Sequence, residues 1–182
     1  MLFVLVSSLF SDSLDKDKKW GVAINLLYPT LSASYFNHEK GYEIEVPIAY
    51  MDETDSHYEK TKSYTLDVHY VKYTSGEIGG WYYSGFGRLT YIEGAKTDTS
   101  KVSTILYHPR DGHYKDTKFA LGAGFGYKKF NLFGNRSAYW SAGINLGAYV
   151  IGDHDMLANG FLYWDDKAFV FNIQVLKFGY TF

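Results

Sequence analysis

The residues best equipped for chemistry are Asp67, His69 and Ser84. A carboxylate that orients an imidazole, an imidazole that takes a hydroxyl proton, and the hydroxyl oxygen itself are the parts of an ester hydrolase. Asp67 and His69 stand two apart, so an extended strand turns both to one face. Ser84 joins them only if its own strand pairs in a suitable register. A G-x-S-x-G nucleophile elbow centred on Ser84 would need glycine at positions 82 and 86, where Tyr82 and Phe86 stand. Such residues more often fill a polar interior as hydrogen-bonded partners, and no catalytic site is assigned on this pattern.

The other chemically capable residues fall into two groups. Glu43, Glu45, Asp67, His69, Arg88, Lys118 and Lys177 lie inside patterned segments, where charge is expensive unless paired. Their expected role is an internal network of ion pairs, with Glu43 or Glu45 against Arg88 as the favoured pair. The same charges could carry a gated proton or ion path, but a narrow barrel filled by side chains leaves no aqueous pore. His108, His113 and the run Asp153-His154-Asp155 lie in polar links. Asp and His bind divalent cations, but adjacent residues seldom converge on one ion, so neither metal nor cofactor is expected.

The elements that must position these groups are strands. No segment of useful length has a helical period, and no apolar run reaches the roughly 20 residues of a transmembrane helix. Alternation with period two recurs instead, over 20–28, 30–37, 41–50, 63–73, 80–92, 118–130, 136–150 and 168–182. Aromatics at 19% suit strands, and 18 glycines against 3 prolines suit a sheet whose interior is crowded. The mean hydropathy of −0.23 resembles that of a soluble protein, yet an alternating barrel gives the same average because its two faces cancel. A net charge of −2 offers no basic surface for nucleic acid, and the absence of cysteine excludes disulfides and thiolate chemistry.

The two faces differ in size as well as polarity. One carries bulky uncharged residues, as in Trp20, Val22, Ile24 and Leu26, or Tyr64, Leu66, Val68 and Tyr70. The other carries Gly, Ala, Ser, Asn and nearly all the strand charges. Small residues suit a cramped lumen, and a bulky uncharged face suits lipid. A soluble lipocalin-like carrier would need the reverse. Aromatics gather at both strand ends: Trp20, Tyr42, Tyr70, Trp81, Tyr127, Trp140 and Tyr180 toward one rim, and Tyr28, Tyr50, Tyr64, Tyr91 and Phe119 toward the other. Short links (37–40, 74–79, 131–135) alternate with long ones (51–62, 93–117, 152–167), as in outer-membrane barrels with periplasmic turns and extracellular loops. The short link at Pro29 breaks this alternation. Lys96, Lys101, Arg110 and Lys115 in the longest link could meet lipopolysaccharide phosphates.

The opening residues 1–11 have the apolar character of a signal-peptide remnant without its basic leader, leaving 12–182 as one barrel domain. In the last strand, Phe169, Phe171, Ile173 and Val175 occupy one parity and Leu176, Phe178, Tyr180 and Phe182 the other, which calls for a bulge near Val175. The ending, with Phe178, Tyr180 and Phe182 alternating with Lys177, Gly179 and Thr181, resembles the C-terminal signal of bacterial outer-membrane barrels. The likeness implies that these three aromatics are read by the barrel-assembly machinery. It departs from the usual signal in having Lys177 where a glycine is common.

More broadly, the chain resembles the OmpA- and OmpX-like class of eight-stranded barrels. Residues 22–29 (VAINLLYP) and 83–91 (YSGFGRLTY) are similar to a family of such barrels that has no assigned activity. The expectation is therefore an all-β fold: a closed, antiparallel, up-and-down transmembrane barrel of about eight strands in the outer membrane, with both termini periplasmic. It would present surface loops in a binding or envelope-integrity role, in contact with outer-membrane lipid and lipopolysaccharide. A lipid A- or phospholipid-modifying hydrolase is the alternative, and a soluble carrier the third reading.

Overall fold

The computed structural model describes residues 14, 16–27, 29–54, 59–96, 112–152, 159–160, 163–165 and 169–182. The strands are β1 (Trp20–Asn25), β2 (Thr30–Asn37), β3 (Tyr42–Thr54), β4 (Glu59–Tyr73), β5 (Gly80–Lys96), β6 (Gly112–Leu132), β7 (Asn135–Ile151), β8 (Asn159–Gly160), β9 (Tyr163–Asp165) and β10 (Phe169–Thr181). Each of β1 to β6 pairs antiparallel with the next, β7 pairs with β10, and β10 returns to β1. The result is a closed eight-stranded up-and-down barrel. The short β8–β9 hairpin lies outside the ring of eight and adds to the far edge of β10.

All eight expected staves form, but several bounds move. β1 stops at Asn25 rather than running to residue 28, because Asn25 Oδ1 accepts a hydrogen bond from the Leu27 amide and turns the chain. The long-link rim differs more. Much of 51–62 and 93–117 is strand, as β3 pairs with β4 up to Thr54 and Lys60, and β5 with β6 up to Lys96 and Gly112. Beyond the barrel both faces of a hairpin lose their size contrast, so the apolar alternation fades while the ladder continues. The opening segment 1–11, Tyr28, His108 and Asp153-His154-Asp155 lie outside the described residues.

Alternation sorts the side chains as the sequence demands. Ile24, Leu66, Phe125 and Leu146 face outward and are exposed, whereas Glu43, Arg88, Lys118, Lys128 and Lys177 are buried within. The parity change in β10 is accommodated by a bulge between Gln174 and Lys177, which leaves Val175 and Leu176 both outward. Rings of β5 lie over glycine positions of the neighbouring strands β6 and β7. A Cβ on Gly122 would stand 2.4 Å from both the Phe86 ring and the Leu146 carbonyl oxygen, and one on Gly126 would meet the Tyr82 hydroxyl at 2.4 Å. Here glycine makes room for an aromatic filler. At the short-turn rim Leu14, Phe36, Val71, Tyr73, Ile78, Tyr82, Phe130 and Tyr139 form an apolar plug that closes the lumen.

The β6–β7 hairpin turns through Phe133 and Gly134, with φ of 53° and 80°. Two consecutive positive φ values define a type I′ turn, whose first position favours Asn over Phe. Phe133 is fully exposed, so its ring offsets nothing. Phe133→Asn is expected to raise stability by about 1 kcal/mol in urea unfolding followed by tryptophan fluorescence. In the same assay Gly122→Val should lose at least ~1–3 kcal/mol, because backbone and ring must both yield. Gly85→Ala, where the nearest atom lies 3.9 Å from the new Cβ, should change little.

Candidate functional site

The lumen is organised as stacked layers of matched charge above the apolar plug. In the lowest layer Lys128 Nζ donates to both carboxylate oxygens of Glu43 at 2.7 Å. Ser34 Oγ donates to Oε1 at 2.7 Å and the Tyr73 hydroxyl to Oε2 at 2.6 Å, so Glu43 is fully hydrogen-bonded. The Lys128 ammonium also lies 4.7 Å from the Tyr139 ring centroid and 5.5 Å from that of Phe36. Two residues along β3, Glu45 pairs with Lys177 of β10. The third layer is a bidentate pair: Arg88 Nε donates to Asp67 Oδ1 and Nη2 to Oδ2, both at 2.7 Å. These two residues are direct cross-strand partners on β4 and β5. Higher still, Lys118 Nζ lies 4.8 Å from the Tyr149 ring centroid.

The expected pairing of Glu43 or Glu45 with Arg88 is not the one that forms. Asp67 sits directly opposite Arg88, so the nearest carboxylate takes the guanidinium, and the two glutamates turn to lysines from β6 and β10. Lys128 was legible as inward-facing, in phase with Gly124 and Gly126, but its partnership with Glu43 depends on the barrel closing. Parity gives the face of a residue and not which distant strand lies across the lumen.

The catalytic arrangement is only partly assembled. His69 Nε2 lies 3.4 Å from Asp67 Oδ2, and the imidazole stacks on Phe86 at 5.1 Å between centroids and 16° between planes. Asp67 spends both oxygens on Arg88, and Ser84 Oγ hydrogen-bonds to Asn145 Oδ1 at 3.4 Å rather than to His69. All three residues are buried. The geometry makes them a structural filling of the lumen. Among the described residues, no group of three or more His, Asp or Glu side chains could hold a metal ion.

Outside, the rims have their own order. Tyr42 packs on Tyr70 and Trp81 on Tyr127 at the short-turn end, with centroids 5.3 and 5.1 Å apart. Tyr50, Tyr64 and Tyr91 form a continuous row at the other end, at 5.0 and 6.2 Å. Two residues above that row, the register lines up Asp52, Lys62, Glu93 and Lys115 across four strands in alternating sign. No family model matches the chain, and neither the curated proteins nor the solved structures contain a match to it.

A buried pair broken on one side leaves a bare charge, which costs about 3–5 kcal/mol, whereas replacing both partners by neutral groups costs far less. Glu43→Gln and Lys128→Met are each expected to destabilise the barrel by that amount. The double variant should recover most of the loss, measured as a double-mutant cycle of urea midpoints. Additive losses would mean that the two groups do not interact.

Proposed function

We propose that the chain is an outer-membrane barrel, a rigid scaffold that carries its long hairpins at the cell surface in a binding or envelope-integrity role. The carrying observation is inverted polarity: ionic side chains fill the lumen while large apolar ones stand outside, with Phe125 56% and Leu146 59% exposed. An apolar belt around the whole circumference is far larger than the patches tolerated on a water-soluble monomer.

The belt has the height a bilayer requires. On β4 the outward residues run Lys62, Tyr64, Leu66, Val68, Tyr70, Lys72. At about 3.3 Å per residue and a tilt near 40°, the two lysines are separated along the barrel axis by roughly 25 Å. Tyrosines lie just inside each lysine, as in interfacial girdles. In this placement the tight turns are periplasmic and the β3–β4 and β5–β6 hairpins extracellular. The Asp52–Lys62–Glu93–Lys115 row meets the headgroup region, where its lysines can contact lipopolysaccharide phosphates. Phe178, Tyr180 and Phe182 face outward on the closing strand and are exposed, which suits recognition by the assembly machinery during insertion.

Refolding into detergent and comparing unboiled with boiled gel migration tests this reading. A shift between the two is expected, and a detergent-free soluble monomer would overturn it. In bilayers, Leu66→Arg should cost about 2–4 kcal/mol of stability, while Lys62→Gln should cost little.

A further inference from the structure

The two rims of the barrel are charged differently. At the long-hairpin end the outward row Asp52, Lys62, Glu93, Lys115 alternates in sign, and Lys115 comes within 3.8 Å of Glu93. At the short-turn end, residues 16–19, 37–41, 72–79 and 129–136 carry seven cationic side chains against three carboxylates, those of Asp17, Glu39 and Glu77. Among the described residues none of these three carboxylates forms an ion pair, so the excess of positive charge there is unmatched.

The fold brings two of those cations together. The β2–β3 turn is pinned in place: Asn37 Oδ1 accepts from the Lys40 amide at 2.9 Å, and the Gly41 carbonyl accepts from the Tyr73 amide at 3.3 Å. Gly41, with φ of 59°, lies so close to the β4–β5 turn that a Cβ on it would stand 2.1 Å from the Gly76 carbonyl oxygen. Lys72, half-buried on the outward face of β4, donates from Nζ to the Lys40 carbonyl. Its ammonium therefore sits at the residue that also bears the exposed Lys40 side chain, and a carbonyl cancels neither charge. Tyr42, cross-strand partner of both Asn37 and Lys72, accepts from Asn37 Nδ2 at 3.4 Å and keeps its own proton to donate. Two ammoniums and a phenol are a donor set for phosphate oxygens.

Above this set the wall is apolar and locally bare. The register places Gly85 beside Tyr70 and Gly87 beside Val68, with Ala123 on the other flank of Gly85. No neighbour requires either glycine. A Cβ would find its nearest atom at 3.9 Å on Gly85 and at 3.6 Å on Gly87, both ordinary contacts, against 2.4 Å on the inward Gly122. The result is a shallow furrow in the apolar belt, beginning one outward position above the Lys72–Tyr83 pair.

We propose that Lys40, Lys72 and Tyr42 bind the phosphate of an anionic glycerophospholipid in the leaflet on the short-turn side, with one acyl chain laid along the Gly85–Gly87 furrow. The inference rests on the membrane placement above, which sets the two lysines at headgroup level beside the Tyr42–Tyr70 pair. A zwitterionic lipid would bring a further cation to a rim already in excess. A soluble phosphate ester has the same head chemistry, and the test separates the two sources.

The full chain is refolded in dodecyl maltoside micelles and its folding verified by gel shift. A chain without the shift would overturn the membrane reading and this site with it, whereas a folded chain tests the site alone. Dioleoylphosphatidylglycerol, dioleoylphosphatidylcholine and glycerol phosphate are titrated separately while the backbone amide resonances of Lys40, Tyr42 and Gly85 are followed by NMR. Phosphatidylglycerol is expected to shift all three saturably and phosphatidylcholine to bind at least about tenfold more weakly. Glycerol phosphate should reach only Lys40 and Tyr42, and at far higher concentration. Lys40→Gln and Lys72→Gln should each weaken phosphatidylglycerol binding about tenfold. Gly85→Leu should weaken it too, yet leave the response to glycerol phosphate in place. Arg136→Gln, which removes a rim cation outside the cluster, should change affinity by less than about twofold. Equal losses from Arg136→Gln and Lys72→Gln would reduce the site to diffuse attraction and overturn it. Glycerol phosphate binding as tightly as phosphatidylglycerol would overturn the lipid as ligand, and no shift with phosphatidylglycerol would overturn the whole proposal.

Discussion

Lys128 sets its ammonium against both oxygens of Glu43 in a place where the two side chains are almost wholly shielded from solvent. An ion stripped of water costs several kcal/mol, and only a close, fully hydrogen-bonded partner offsets it. Repeated by Glu45 with Lys177 and by Asp67 with Arg88, this matching governs the rest of the interior. Three long cationic side chains crossing one narrow lumen leave little volume. The stretch of wall made by the adjacent strands β6 and β7 is accordingly built of Gly122, Gly126, Gly143 and Gly147, against which Tyr82 and Phe86 lie, and of Gly124, over which Ser84 meets Asn145. Bulky apolar residues have nowhere to go but outward. The size contrast between faces and the charge contrast thus have one origin.

That shared origin is why so much of the fold was legible. Period two with a size difference located all eight staves, and the parity change near Val175 announced a bulge before any pairing was known. The strand most weakly signalled, 30–37, forms as Thr30–Asn37. What escaped was information that does not reside in a single strand. Arg88 could have met any inward carboxylate, and its choice of Asp67 follows from cross-strand register. The partnership of Lys128 with Glu43 spans 85 positions and exists only once the sheet has curled. The upper hairpins were read as loops because, once both faces are wetted, no pressure keeps large and small residues apart.

The candidate chemistry divides in the same way. Asp67 and His69 were placed on one face by spacing alone, and they are together. Ser84 was a matter of register, and its hydroxyl is claimed by Asn145, two strands along the same wall, over Gly124 of β6. Proximity of the right residue types was not enough, because each polar atom in a dry interior is taken by whichever complement is nearest.

The Glu45–Lys177 pair joins strands separated by 132 positions, bringing β3 together with the strand that seals the ring. Until β10 docks, Glu45 faces an open trough in which water can still hydrate it. Sealing expels that water and delivers the ammonium in one event. A trough sealed by the wrong segment, or with β10 slipped by one residue, would enclose a naked carboxylate. Completion of the ring is thereby coupled to correct registry, so the electrostatics of the interior act as a proofreading step on the final act of assembly.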